Sequence, residues 1–431
     1  MTDTKPSRTT SLRTLAVVGI TATALTSGTA VAAGPSVVPA GAPASGSSAA
    51  AVSEETVRHF ADVAKAVIER RTAALLDTPG TPAALSDPLA TRTRGPVHLS
   101  AASARAENAT VGELQHLKAE LAEVSEAYTA AQTTTAVDSV DVVGDTATVQ
   151  LTEDTALTYK KIHGDEPPTT EFRAEHQFVY ALAADGTWAL TAADPVNKSG
   201  PAPINQVVVT DPADLNTPEP ADEPTVEDGT EDPNDVPDVP PGTGEKPVSA
   251  VAAPTAADLA AARKDAPASG VVTPLAGYDY GAMARYAEKY WKNYNSAYRK
   301  FNGKGGDCTN FVSQSLRAGG WKNKSGWYKN AKYWWYNSAN QTYSWTSVNH
   351  WATFAKKSGR TSILGNVYQM GYGDVLQMDF DRKNGKDHTM ITTHRAKSQP
   401  YLTYHSSDTY RRSMASIVKQ YPKATYYAHR T

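Results

Sequence analysis

Apolar positions recur in two rhythms over the first half of the chain. Val57, Phe60, Val63, Ala64 and Val67 return every three or four residues, and so do Leu114, Leu117, Leu121 and Val124; each set predicts an amphipathic helix. The period then shortens to two. Residues 139–143 and 146–151 read as strands around a Gly144-Asp145 turn, and residues 170–182 and 187–193 as strands around Ala184-Asp185-Gly186. Helices followed by a meander of strands predict a small α+β unit over residues 53–196.

A second patterned region occupies residues 278–431. Phe311, Val312, Leu316 and Ala318 supply the apolar face of a helix that begins near Cys308, after Gly305-Gly306, and stops at Gly319-Gly320. Gly373-Asp374 reads as a turn into a strand over 375–378. Residues 388–393 form another strand, and 401–405 a third. A turn at Ser398-Gln399-Pro400 makes these last two a hairpin centred near residue 397, with His388 and His405 at its open end.

Composition sets the limits of these units. Residues 1–33 carry Lys5, Arg8 and Arg13, an apolar run over 15–25 and Ala30-Val31-Ala32, the layout of a cleaved secretion signal. That run is too short to span a bilayer, so no stable membrane insertion is expected and the mature protein should be extracellular or wall-associated. Residues 34–52, rich in Ala, Pro, Ser and Gly, are expected to be disordered. Residues 197–277 are rich in Pro, Asp, Glu and Ala and read as an extended acidic linker. Charge is segregated: residues 211–245 hold 12 acidic and no basic side chains, whereas residues 278–431 hold 24 Lys+Arg against 8 Asp+Glu, a balance of about +16. Outside a cell such a surface would meet anionic wall polymers; nucleic acid is not an expected partner.

The chain has one cysteine, so no disulfide framework stabilises it, and the thiol is either buried and inert or kept for chemistry. Cys308 stands where a helix begins. The outward-pointing amides and the dipole of a helix start favour a thiolate and could receive an oxyanion, with Asp307, Thr309 and Asn310 as neighbours able to support that end. The missing component is a base. His388 opens a strand and could take the thiol proton. A polar group at His405, or alternatively Asp408, could orient it. His163, His176, His350, His394 and His429 lack such a context. No metal is expected: Asp379, Asp381, Asn384, Gly385 and Asp387 miss the EF-hand spacing, and one cysteine with scattered histidines offers no zinc pattern.

Tyr278-Asp279-Tyr280, Ala282, Tyr286-Ala287, Tyr294-Asn295, the run Gly306-Asp307-Cys308-Thr309-Asn310-Phe311-Val312-Ser313-Gln314 and Gly319-Gly320 together resemble the "putative amidase domain" family of secreted Gram-positive proteins. Gly373-Asp374, His388 and Tyr404-His405 continue the resemblance in order. Thr389 stands where that family favours serine. The family is similar to CHAP and NlpC-type cell-wall peptidases, so the resemblance implies a papain-like fold and a cysteine hydrolase needing no cofactor. It further implies an amide substrate, plausibly in peptidoglycan. The 53–196 unit resembles the SnoaL-like domains that precede many secreted enzymes. The competing expectation is a catalytically silent wall-binding module that keeps the fold.

Overall fold

A computed structural model describes residues 52–78, 96–197, 200–207, 277–302, 307–380, 385–396 and 398–431. The signal, the 34–51 segment, the acidic 211–245 stretch and Gly305-Gly306 lie outside the described residues.

Among the described residues, two capped helices and five strands build the first half. Helix α1 (Glu54–Ala74) starts at Ser53, whose hydroxyl accepts the Thr56 N–H at 3.2 Å, with Glu54 and Glu55 in its first turn. Helix α2 (Ala101–Glu123) starts the same way at Ser100, which accepts from Ser103 N at 3.0 Å. Their apolar stripes bury Phe60, Val63 and Val67, and Leu114, Leu117 and Leu121, as the spacing predicts. These stripes cover strands β1 (Val97–Leu99), β2 (Tyr128–Val143), β3 (Thr146–Tyr159), β4 (Thr169–Leu182) and β5 (Trp188–Pro195). β2 and β3 run much further than residues 139–151, because cross-strand pairing holds the Thr-rich stretch 130–137 that lacks apolar alternation of its own.

The second half packs helices against further strands. Along the chain come α3 (Tyr280–Tyr290), α4 (Cys308–Ala318), α5 (Tyr343–Thr346), α6 (Val348–Ser358), β6 (Ser362–Ile363) and β7 (Val375–Asp379). Then follow β8 (His388–Ala396), β9 (Gln399–Tyr404), β10 (Thr409–Ser413), α7 (Met414–Gln420) and β11 (Thr425–Arg430). The β8–β9 hairpin pairs Ile391 with Thr403 and Ala396 with Gln399, which is the hairpin the sequence predicts. Alternation divides its residues between two cores. Val375 and Ile391 face α4 and a tryptophan-rich cluster containing Trp321, Trp334, Trp345 and Trp351. Leu376, Met378, Met390, Leu402 and Tyr404 face Met414, Ile417 and Val418 of α7. Trp334 and Trp345 are fully buried and serve packing.

The two halves share one sheet. β10 pairs antiparallel with β9 on one side and with the first part of β4 on the other, giving the order β1-β5-β4-β10-β9-β8-β7-β11-β6, with β3 and then β2 added on β4. Buried Glu126 fastens the seam by accepting from Tyr128 and Ser413, and Arg173 N donates to the Asp408 carbonyl at 2.7 Å. Both halves belong to one unit, Ala49–Thr431. The mixed α+β class expected from the pattern is therefore observed. One expectation fails: residues 200–207, which composition assigns to an extended linker, are packed in. Pro201, Pro203, Ile204, Asn205 and Gln206 are buried, and Ile204 joins the α2 core. Prolines and a polar pair hid this, because their burial depends on partners from both halves.

Candidate active site

Helix α4 begins at Cys308, the predicted residue, and its amphipathic face buries Phe311, Val312 and Leu316. It ends at Gly319, where close approach requires glycine: a Cβ there would stand 2.2 Å from Met283 Cγ and 2.8 Å from the Asp279 carbonyl of the abutting α3. Asp279 itself caps α3, accepting from Ala282 N at 2.7 Å. The helix start is thus pressed into position from its far end.

Cys308 is completely buried, with Sγ 3.8 Å from Thr309 Oγ1. Thr309 Oγ1 lies 3.0 Å from Thr389 Oγ1, so the residues immediately after Cys308 and after His388 touch. The start of α4 is therefore docked on the start of β8. His388, first in its strand and fully buried, meets the Tyr404 ring edge-on at 5.4 Å. Alternation sends Thr389 and Ile391 toward α4, and His388 and Met390 toward the Tyr404 and α7 side.

His405 behaves differently from the expectation. Its ring is sandwiched between Phe311 and Tyr294, with centroids 4.0 Å away on each side. Nδ1 lies 2.7 Å from Asp307 Oδ2, and Nε2 lies 3.0 Å from the Tyr290 carbonyl. Both ring nitrogens are engaged, and neither serves His388. A strand-end residue can leave by either face, and here Phe311 and Asp307 draw the ring to the α4 side. Ser406 and Ser407 follow with φ of 64° and 69°, the left-handed backbone that turns the chain away directly after it. Burial works against a charged imidazolium, but Asp408 and the bonded Asp307 outweigh it and raise the His405 pKa above the ordinary value. The two buried side chains are thus paired beside the helix start.

The expected helix-start group is likewise redistributed. Asp307 occupies the capping position without capping; its carboxylate instead accepts from Phe301 N (2.8 Å) and Asn310 Nδ2 (2.9 Å) besides meeting His405. Asn310 Nδ2 also donates to the Arg299 carbonyl at 3.0 Å, and its Oδ1 accepts from Trp345 Nε1 at 2.8 Å. The Asp307 and Asn310 side chains are therefore structural braces, not oxyanion donors, and any such role falls to the backbone.

Asp408, the alternative orienter, accepts from Tyr294 OH at 3.1 Å behind the His405 stack. Burial pushes its pKa up to about 6 from 3.8. A raised carboxyl pKa contributes stability that is complete below pH 3.8 and lost as the pH rises through 6. Asp408→Asn should remove that dependence. Relative to wild type the variant is expected to gain up to about 3 kcal/mol between acidic and neutral pH, measured by guanidinium unfolding at both. A pH-independent difference would contradict this ionisation.

Tyr286, Asn295 and Gln314, noticed only as family residues, prove to be connected: Tyr286 OH donates to Gln314 Oε1 at 2.7 Å and accepts from Asn295 Nδ2 at 2.9 Å. Among the other histidines, His176 is buried against Glu153 at 2.8 Å, His394 lies 2.8 Å from the Asp165 carbonyl, and His350 is 3.1 Å from Ser347 Oγ.

Residues 277–429 match the model of the family described as "Putative amidase domain". Two proteins of Bacillus subtilis (strain 168) are similar over about the same length. "Uncharacterized protein YjcM" is 33% identical over 146 residues, 32% of this chain and 32% of its own. "Uncharacterized protein YhbB" is 31% identical over 142 residues, 31% of this chain and 42% of its own. The chain thus matches well under half the length of either relative. Among solved structures, the intermembrane space region of chloroplast protein ARC6 aligns with 14% identity and a TM-score of 0.22, over 32% of this chain and 94% of that one. No described helix is long and apolar enough to cross a membrane.

Proposed function

We propose that the 278–431 region is a cysteine amidohydrolase of papain-like type that acts outside the cell on amide bonds of cell-wall peptidoglycan. The observation that carries this reading is the chain's single cysteine, buried as the first residue of a helix whose start is bolted to the start of the His388 strand by Thr309 and Thr389. The match to an amidase family over the same residues supports it.

In the proposed reaction His388 takes the Cys308 proton around the end of β8, and the thiolate attacks the amide carbonyl. Amides of the α4 start stabilise the oxyanion. His388 returns the proton to the leaving amine, and water, deprotonated by His388, resolves the thioester to acid and thiol. The Asp307–His405 pair braces the helix start.

A second reading is favoured by one observation: His405, on the α4 side, is bonded to the residue directly before Cys308. It could act as the base only by giving up a ring-nitrogen bond, so it ranks behind His388. Incubating purified cell walls with the full chain and weighing the fragments by mass spectrometry tests the function. New amino and carboxyl termini in the peptide part are expected; walls left intact would contradict the reading.

A further inference from the structure

Residues 200–207 pass from the first half across the second and lie on His388. An added Cβ at Gly200 would stand 2.8 Å from His388 Cε1, 3.0 Å from its Nδ1 and 2.6 Å from the Ser406 carbonyl, so only glycine permits this approach. The following residues are held as a peptide ligand is held, by side chains reaching their main chain. Tyr421 OH accepts from Ala202 N at 2.5 Å, and Arg412 Nη1 donates to the Ala202 carbonyl at 3.0 Å. Gln420 Nε2 donates to the carbonyls of Pro203 (3.3 Å) and Gln206 (3.0 Å). The far end is anchored in the first half. Asn205 Nδ2 donates to Glu153 (2.9 Å) and Thr72 (2.9 Å), and Gln206 Nε2 lies 3.3 Å from His176 Nδ1. The buried Glu153–His176 pair, otherwise without a role, is thus the anchor of this segment.

We propose that residues 200–207 form an intramolecular strap that lies over His388 and must leave before substrate reaches it. The proposal rests on the hydrolase reading, with His388 as a reacting group. A small, main-chain-bound segment suits this task, because sequence-tolerant contacts let a peptide of the wall compete for the same Tyr421, Arg412 and Gln420 groups. The first half then acts as the clamp, since it grips the strap through Asn205 and Gln206.

The test follows carbethoxylation of His388 by diethyl pyrocarbonate in the full chain, read by peptide mass mapping, which needs no catalysis. Gly200→Ala should displace the strap and speed modification at least about 10-fold if the closed state exceeds the open one by that factor. Gln420→Ala removes two strap contacts without adding bulk and should give a smaller but measurable increase. It decides the matter alone if Gly200→Ala does not fold. A folded variant that reacts at the wild-type rate overturns the strap. Hydrolysis by the same proteins separates the two readings. Exposure of His388 with no hydrolysis by any form, wild type included, sinks the hydrolase and leaves the strap in place. Exposure with no gain over an active wild type overturns its role as a closure.

Discussion

Cys308→Ala is expected to lower hydrolysis of purified cell walls by at least about 10³-fold while leaving the fold intact. In the proposed mechanism the thiol supplies the bond-forming atom, so its loss would remove the covalent route, not one stabilising contact. What survives is binding and whatever the helix-start amides contribute. The fold should tolerate the change, because a small buried side chain is exchanged for a slightly smaller one, at a cost of about 1 kcal/mol. Cys308→Ser keeps the shape but offers a hydroxyl that is far less ionised than a thiol at neutral pH, and should be nearly as inactive. Full activity in either variant would remove the nucleophile from the account.

Loss of the proposed base is the second large expected effect. His388→Ala is expected to cost about 10²- to 10⁴-fold, the range associated with positioned general acid–base groups. His405→Ala provides the contrast. It leaves the Asp307 carboxylate buried without its partner, so its main cost should appear in stability, about 3–5 kcal/mol. Activity per folded molecule should fall less than in His388→Ala. The reverse ranking, a stable and inactive His405→Ala beside an active His388→Ala, would transfer the base to His405.

Much of this arrangement can be read from residue order. The Cys308 helix, its stop at Gly319 and the β8–β9 hairpin follow from periodicity and turn residues, since each is specified locally. The cores of α1 and α2 follow for the same reason. Three features do not. The face taken by His405 is decided by Phe311, Tyr294 and Asp307, all of them about a hundred residues away, and strand alternation says nothing at a strand's end. The β4–β10 pairing that joins the halves is an edge-to-edge contact whose hydrogen bonds come from the backbone, so no side-chain pattern marks it. The 200–207 strap reads as linker because proline and small residues dominate it, and its burial is created by Arg412, Gln420 and Tyr421 far along the chain. Asp307 is the instructive case within the site. Its position before a helix suggests a cap, but its carboxylate is taken up instead by His405, Phe301 N and Asn310 Nδ2, none of them the N–H a cap would bind.

The claim that Cys308 and His388 act as one couple is tested most directly by titrating thiolate absorbance in the full chain, with Cys308→Ala as the blank. With a single cysteine the signal has one source. Wild type should show thiolate well below the ordinary thiol value of about 8.5, and His388→Ala should move the midpoint to that value or above. Superimposable curves for the two proteins, with a midpoint at or above about 8.5, would contradict the couple.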